Sequence, residues 1–338
     1  MKTEPVAATA RGVWDRTGDG LLAAGLFVAS LILYVATLAP SVATLFDDSL
    51  EFPLVAHDLA IAHQTGYPLY TLLGRLFTLV PWRDVAWRVN LLSAVAGALT
   101  VALVYLVTRR LTRRRLPALL GAVALAASPV FWSQSTIAEV YTLNAAFVAA
   151  MLLLALYWAR RPLLPVTPFS LLRVPPKERA TRLMSEAGFW ARVPLSLRQA
   201  VYRVYALYRR IFPAVPPKRR LRLHPLIFAL AALYGLSLTH HRLMLLLAPA
   251  LLVFLLLVER RVLSRAALLG PEHPDRPRWL QLAGRPIILS SLCFVMPLLF
   301  YLYLPIRGHV GSLDGAYANT WGGVWRWAMA STFSTVLG

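Results

Sequence analysis

The sequence predicts an all-α integral membrane protein, a multi-spanning helical bundle of about seven spans. Of its 338 residues, 58% are hydrophobic and only 15% are charged, which is more apolar surface than one soluble core can bury. Apolar stretches of span length recur along the chain. The basic residues behind the formal net charge of +20 lie in loops between those stretches, so membrane orientation explains them and nucleic acid is not predicted as a partner.

Seven stretches approach the roughly 20 helical residues that cross a bilayer core about 30 Å thick. They are residues 20–39, 91–107, 116–132, 142–158, 225–238, 243–258 and 287–304. Residues 1–19 mix acids with bases, unlike the positive head of a signal peptide, so we expect a retained first helix after a cytoplasmic N-terminus.

The distribution of Lys and Arg predicts which loops share a side of the membrane. Basic loops at 109–115, 159–224 and 260–285 are expected on the cytoplasmic side, and the second holds fifteen Lys or Arg against two acids. Loop 40–88 is acidic and is expected outside. The membrane core therefore comprises 20–158 and 225–304, with an external aromatic segment at 305–338.

Two of these regions have further predicted features. In the insert 159–224, apolar residues recur at helical spacing from 197 to 211, which predicts an amphipathic helix that binds anionic lipids. Residues 225–258 should form a hairpin, because the basic loops on either side of it share a side. At a rise of about 1.5 Å per residue this hairpin is shorter than two crossings, so its tip at 239–242 should be recessed below the outer surface.

The acidic external loop is the first candidate site. Asp48 and Glu51 are three residues apart and share a face if the turn after Pro40 is helical. Such a pair can supply a general base that takes a proton from an acceptor hydroxyl, or can hold a sugar by its hydroxyls. The alternative is a solvated loop in which Asp47 or Asp48 caps a helix.

Other polar groups of the external loops complete the candidate site. His63 is a possible base or ligand, but no second His, Cys or acid stands at zinc spacing, so no metal site is predicted. Tyr67 can pack against a sugar or lipid, although interfacial anchoring is its more common role. Glu139 either lines the same cavity or caps the next helix. A cationic group is expected at the outer face and consists of His240, His241, Arg242 and Arg307. It can bind a lipid-linked phosphate. The alternative is that Arg242 and Arg307 only extend their charged ends to the membrane surface from helix ends.

Four motifs resemble a family first catalogued as a domain of unknown function (number 2723) and related to bacterial protein O-mannosyltransferases of the GT-C glycosyltransferase class. They are TLAPS at 37–41 leading to DSLE at 48–51; GYPLY at 66–70 with GR at 74–75 and RVNL at 88–91; FWSQ at 131–134 with EVYTLN at 139–144; and GLS at 235–237 with HH at 240–241. YLPIR at 303–307 resembles a later motif of that family.

The resemblance implies a GT-C fold in a bacterial-type plasma membrane, with the active site outside. It implies a polyprenyl-phosphate donor of a mannose-like sugar and a Ser or Thr hydroxyl of an extracytoplasmic protein as acceptor, with inversion at the sugar carbon. By the same mapping Asp48 is the base and Glu51 a secondary acid, while the cationic group steadies the leaving phosphate. The chain carries no nucleotide-binding motif, which agrees with a lipid-linked donor. No cofactor is required, and a divalent metal is left open.

Two departures from the family pattern leave other interpretations open. Leu50 stands where the family usually has glycine, and Gln64 and Thr65 replace a proline pair. Relatives usually continue beyond the position of Gly338, so the sequence is expected to be either an active enzyme or a truncated, inactive member. A transporter or flippase of lipid-linked sugar, and a noncatalytic membrane scaffold, are the remaining alternatives.

Overall fold

The computed structural model describes residues 5–44, 47–159, 225–258 and 289–330. Over these ranges the chain forms helices and no strand, and a single isolated bridge joins Ile61 to Ser312. The predicted all-α class is therefore confirmed for the described residues. The basic insert beyond residue 159 and the basic loop 260–285 lie outside them.

The helices are bounded as follows. They are α1 (Pro5–Ala36), α2 (Asp47–Asp58), α3 (Pro68–Thr78), α4 (Val85–Thr112), α5 (Arg115–Ala126), α6 (Pro129–Ser135), α7 (Tyr141–Ala159), α8 (Pro225–Leu238), α9 (Ala248–Val258), α10 (Leu289–Arg307) and α11 (Trp321–Ala328). A 3₁₀ helix at Arg242–Leu247 precedes α9, and another at Leu299–Leu302 lies within α10.

Four helices of the described ranges are long and apolar enough to cross a membrane: Thr17–Ala36 of α1, α4, α7 and α10. Helices α5 and α6 are bent by 63° and make a fifth span only if they are taken together. Pro129 explains this break in the predicted span 116–132, since proline disfavours the α conformation in the residue before it and is tolerated in the first turn of the next helix. The helices at 226–238 and 242–255 are shorter than spans, so the predicted number of seven is not confirmed.

The chain divides into two compact units. One comprises Met1–Leu156, Leu226–Leu246 and Leu289–Gly338, and it contains every candidate site residue. The other comprises Tyr157–Pro225 and Leu247–Ile288, where Trp158 packs against Phe254 with ring centroids 5.9 Å apart.

Helix α4 is the centre of the first unit and separates two chemically different ends. At its C-terminal end, Arg109 forms an ion pair of 3.0 Å with Asp19 of α1, and Arg115 binds the same carboxylate at 2.9 Å. At the other end, the Asn90 side chain donates to the carbonyls of Ala39 and Ser41. Asp19 of α1 and the loop 109–115 therefore lie at one end of α4, and the acidic loop lies at the other.

Helices α2 and α3 fold against the N-terminal part of α4. Their apolar faces share a core in which Phe52, Tyr70 and Val89 are fully buried. Proline at position 68 starts α3, and the Asp84 carboxylate caps α4 by accepting from the Trp87 amide at 2.7 Å. This core fixes the polar face of α2 beside the loop that carries His63.

Candidate active site

Asp48, Glu51 and His63 come together in the structure. One oxygen of Glu51 accepts the backbone N–H of His63 at 2.8 Å, and its other oxygen lies 2.5 Å from Nδ1 of the same residue. On the opposite edge of the ring, Nε2 lies 3.8 Å from an oxygen of Asp48. All three side chains are partly buried. The sequence paired the two acids by their spacing, but it did not predict that His63 joins them.

The position of the two acids follows from α2. This helix begins at Asp47, so the predicted helical turn after Pro40 is confirmed and Asp48 and Glu51 share a face. Between them, the buried hydroxyl of Ser49 donates to the carbonyl of Ala138 at 3.3 Å. This bond joins α2 to the turn that carries Glu139.

His63 is held in place by the loop before it, whose main chain is bound by the region around α10 and α11. Tyr303 donates to the carbonyl of Ala60 at 2.6 Å, and the indole of Trp327 donates to that of Ala62 at 2.8 Å. The Ile61 amide donates to the Gly311 carbonyl at 2.9 Å. Because successive main-chain groups are fixed in this way, His63 enters the site in a defined orientation.

The ionisation of His63 depends on the acids around it. Its burial favours the neutral ring, but the hydrogen bond and charge of Glu51, followed by the charges of Asp48 and Glu139, outweigh that effect and raise its pKa. The site therefore favours a positive charge on or beside this imidazole.

Glu139 is the third acid of the site and the most buried. Its side chain belongs to a residue with only 2% exposure, and one carboxylate oxygen has no hydrogen-bond partner among the described residues. Burial, and then the charge of Asp48, raise its pKa to about 7. The Ser93 hydroxyl exchanges hydrogen bonds with the Glu139 carbonyl and amide, which fixes the main chain. Its carboxylate is coupled by charge to Asp48 and His63, and it also accepts the backbone N–H of Val140 just before α7, so the contacts agree with both predicted roles.

Aromatic rings surround these polar groups. The Tyr67 ring lies 4.9 Å from that of His63 and 5.7 Å from that of His241, and Tyr141 lies 6.2 Å from His241. The sequence predicted Tyr67 and His241 but not Tyr141, which follows Glu139 by two residues. These rings offer apolar surface beside the acids, as sugar-binding sites commonly do.

The two histidines of the 239–242 turn have different environments. His240 is fully buried, its Nε2 donates to the Val140 carbonyl at 2.9 Å, and burial lowers its pKa to about 3. It is therefore neutral and packs against Tyr70 at 5.9 Å. His241 is only partly buried, and its Nδ1 accepts the Leu243 amide at 3.0 Å, so the neutral ring carries its proton on Nε2. Burial also lowers the pKa of His241.

The two predicted arginines make main-chain contacts. Arg307 donates from Nε to the carbonyl of Leu59 and from a terminal nitrogen to that of Asp58, both at 2.8 Å. These bonds cap the C-terminal end of α2. Arg242 is exposed and has one long contact of 3.5 Å, to the carbonyl of Ala330. The described contacts of Arg307 thus support a structural role.

A cavity of about 290 Å³ opens beside His63. It is lined by His63, Gln64, Asp314, Ala316, Ala318, Gly323, Arg326 and Trp327. Except for His63, the sequence did not predict these residues, because the segment 305–338 was recognised only by its tryptophans. The cavity extends the candidate site from His63 toward α11.

The comparisons with known proteins match part of the chain, and the family-model match contains the three acids of the site. Residues 48–168 match the family model described as Protein O-mannosyl-transferase TMEM260 N-terminal domain. The chain is 33% identical over 138 residues to protein O-mannosyl-transferase tmem260 of Dictyostelium discoideum. The aligned segment covers 40% of this chain and 17% of that protein. It is 36% identical over 148 residues to protein O-mannosyl-transferase TMEM260 of Mus musculus, covering 44% of this chain and 21% of the relative.

The chain thus matches about one fifth of the length of these curated relatives. No solved structure matches. The similarity supports a relationship to the O-mannosyltransferases named by these matches, and the two relatives are eukaryotic proteins. The match to the family model begins at Asp48.

Proposed function

We propose that this protein is a membrane O-mannosyltransferase of GT-C type that uses Asp48 as its general base. The observation that carries the proposal is the meeting of Asp48, Glu51 and His63 at one end of α4, within the segment that resembles the O-mannosyltransferase model. The donor is a polyprenyl-phosphate mannose, and the acceptor is a Ser or Thr hydroxyl of an extracytoplasmic protein.

The choice between the two acids rests on the contacts of Glu51 and on the family resemblance. Both oxygens of Glu51 are engaged by His63, through its amide and its ring. Glu51 is therefore suited to orienting His63, and Asp48 is the acid we assign to the acceptor hydroxyl. Removal of a hydroxyl proton by a positioned carboxylate is worth roughly 10²–10⁴ in rate.

The proposed reaction is a single inverting displacement. The acceptor oxygen forms a bond to the anomeric carbon while the bond from that carbon to the phosphate oxygen breaks. The hydroxyl proton goes to Asp48, and polyprenyl phosphate leaves with the electron pair. The rings of Tyr67 and Tyr141 both lie near that of His241 and supply ring surface for the sugar.

The leaving phosphate needs hydrogen-bond donors. Of the four cationic residues proposed for this role, His241 and Arg242 have the contacts that suit it best. His241 keeps an N–H on Nε2 beside Tyr67, and Arg242 is exposed. The apolar helices on both sides of this turn favour a donor with a lipid tail that reaches the site from the bilayer.

The proposal is tested with the purified full chain in lipid nanodiscs, polyprenyl-phosphate mannose and a Ser/Thr peptide. Asp48→Asn should lower the rate of mannosyl transfer by at least about 10²-fold, since an amide cannot accept the proton. Asp58→Asn is the matched control, because it removes an exposed carboxylate at the other end of α2 and should leave the rate unchanged.

Equal rates for the wild type and Asp48→Asn would remove Asp48 from the mechanism. Donor lipid that crosses the bilayer without any glycosylated peptide would favour a transporter of lipid-linked sugar instead. Bound donor is measured in the same samples, so a defect in binding is separated from a defect in transfer.

A further inference from the structure

We propose that Asp48 and His63 hold a divalent cation between them, with Glu51 orienting the histidine and Glu139 adding a carboxylate. The inference starts from the ring of His63. Because a carboxylate can only accept, the 2.5 Å contact with Glu51 places a hydrogen on Nδ1. In the neutral ring, Nε2 then presents a lone pair toward the carboxylate of Asp48.

The separation of these two groups fits a bridging ion. Nε2 of His63 and the nearest oxygen of Asp48 are 3.8 Å apart, which is too long for a hydrogen bond. Two ligand atoms that each lie about 2.1 Å from one ion are roughly 3.4 to 4.2 Å apart for angles between tetrahedral and linear. Ligand atoms of Asp48, Glu51 and His63 all lie within 4.8 Å of one another.

Glu51 matches the usual outer partner of a metal-bound histidine. Such histidines commonly donate their second ring N–H to a carboxylate, which fixes the tautomer and the orientation of the ring. Glu51 accepts from Nδ1 and also from the backbone amide of His63. The backbone bond fixes the carboxylate, and rotation of the ring would break the bond to Nδ1.

Glu139 is an independent observation that points to a ligand. Glu139 is only 2% exposed, yet one of its carboxylate oxygens has no hydrogen-bond partner among the described residues. Its charge is coupled to both Asp48 and His63. A buried acceptor left without a donor costs free energy, and the charge of a cation bound beside Asp48 and His63 would lower that cost.

The ligand set indicates which ions fit. Carboxylate oxygens favour Mg²⁺ and Mn²⁺, and imidazole favours Zn²⁺ and later transition metals, so this mixed set suits Mn²⁺ or Zn²⁺. The inference deepens the proposed function. One oxygen of Asp48 would bind the ion while the other accepts the hydroxyl proton, and the ion would stabilise the leaving phosphate.

Binding is measured without any turnover, so its result is separate from that of the transfer assay. The full chain, stripped with chelator, is titrated calorimetrically with Mn²⁺ and, separately, with Zn²⁺. We expect one equivalent of at least one ion to bind. Asp48→Asn and His63→Gln should each weaken binding by more than about tenfold, and Glu51→Gln by about 10- to 100-fold.

His57→Gln is the matched control, because it removes a second histidine that contacts a carboxylate, that of Asp58, at the exposed end of the same helix. It should bind the ion as the wild type does. Thermal unfolding without metal shows which variants are folded. If a variant is not folded, Glu139→Gln is used in its place in the binding measurement and should also weaken binding. For Mn²⁺, a nitrogen signal in pulsed electron paramagnetic resonance should disappear in His63→Gln.

The proposal is overturned if the wild type binds neither ion at a stoichiometric level. It is also overturned if the folded Asp48 and His63 variants bind as tightly as His57→Gln.

Discussion

The carboxylate of Glu51 accepts two hydrogen bonds from His63, one from the backbone N–H at 2.8 Å and one from Nδ1 at 2.5 Å. The two residues belong to different local structures. Glu51 lies on α2, and His63 lies in the loop between α2 and α3. The pair turns a flexible side chain into a fixed one whose other ring nitrogen faces Asp48. Glu51 is therefore expected to act through His63.

The first prediction concerns the coupling of this pair. Glu51→Gln should reduce mannosyl transfer by roughly 10- to 100-fold, the range found for residues that orient a functional histidine. His63→Gln should reduce it at least as much. The double variant should be no slower than His63→Gln alone, because Glu51 has nothing left to orient. Steady-state rates of the three variants test this. Losses that multiply in the double variant would mean that Glu51 acts by itself.

The second prediction concerns Trp327. Trp327→Phe keeps most of the ring but removes the N–H that donates to the Ala62 carbonyl, leaving a buried acceptor unpaired. We expect a loss of about 1–3 kcal/mol in stability and a lower transfer rate, because Ala62 precedes His63. Trp321→Phe is the control, since Trp321 is 77% exposed. Equal unfolding midpoints for the two variants would contradict the role of this bond.

The third prediction separates two roles for Arg307. Lysine keeps the charge but cannot reproduce the two bonds that Arg307 makes with the carbonyls of Asp58 and Leu59. If the arginine caps α2, Arg307→Lys should unfold at a lower temperature and leave the KM for the donor lipid nearly unchanged. A normal unfolding temperature with a KM that rises only in Arg307→Gln would instead indicate a contact with the phosphate.

The fourth prediction is a pH dependence. His240 has a pKa of about 3 in the folded protein, against about 6.5 in the unfolded chain, because burial disfavours its charged form. Its contribution to stability is complete above pH 6.5 and is lost progressively as the pH falls toward 3. Between pH 6.5 and pH 5 the loss should be about 2 kcal/mol, at roughly 1.4 kcal/mol per pH unit.

His240→Gln should remove this part of the acid sensitivity, because glutamine can donate to Val140 and does not titrate. Thermal unfolding of both proteins from pH 7.5 to pH 5 makes the comparison. Parallel curves over that range would show that His240 does not carry the effect.

The fifth prediction concerns Gly66, which lies between His63 and α3. Its φ is +82°, and an added Cβ would lie 2.7 Å from a methyl carbon of Leu304. Gly66→Ala should therefore cost about 2 kcal/mol or more, from backbone strain and overlap together. Gly322→Ala is the control, since nothing lies within 4 Å of its added Cβ. A Gly66→Ala protein with the wild-type unfolding midpoint would contradict this.

The local sequence pattern was sufficient to predict where the long apolar helices lie and which two acids of the site share a helix face. Apolar runs predicted the bounds of α7, of α10 and of the apolar part of α1 within a few residues, because a membrane span needs a fixed length of apolar chain. The run at 91–107 lies inside α4, which extends beyond it at both ends. The three-residue spacing of Asp48 and Glu51 predicted their shared face, because α-helical geometry requires it. The bend between α5 and α6 was missed, although Pro129 was a visible signal for it.

What the sequence by itself determined is a helical membrane protein with two acids on one turn of helix. Only the tertiary structure decided that Glu51 binds His63, that Trp327 holds Ala62 from 265 residues away, and that His240 is buried and neutral. Helix formation depends on neighbouring residues, which a sequence displays directly. Burial and long-range hydrogen bonds depend on which helices pack together, and these contacts decide the charge and orientation of each group in the site.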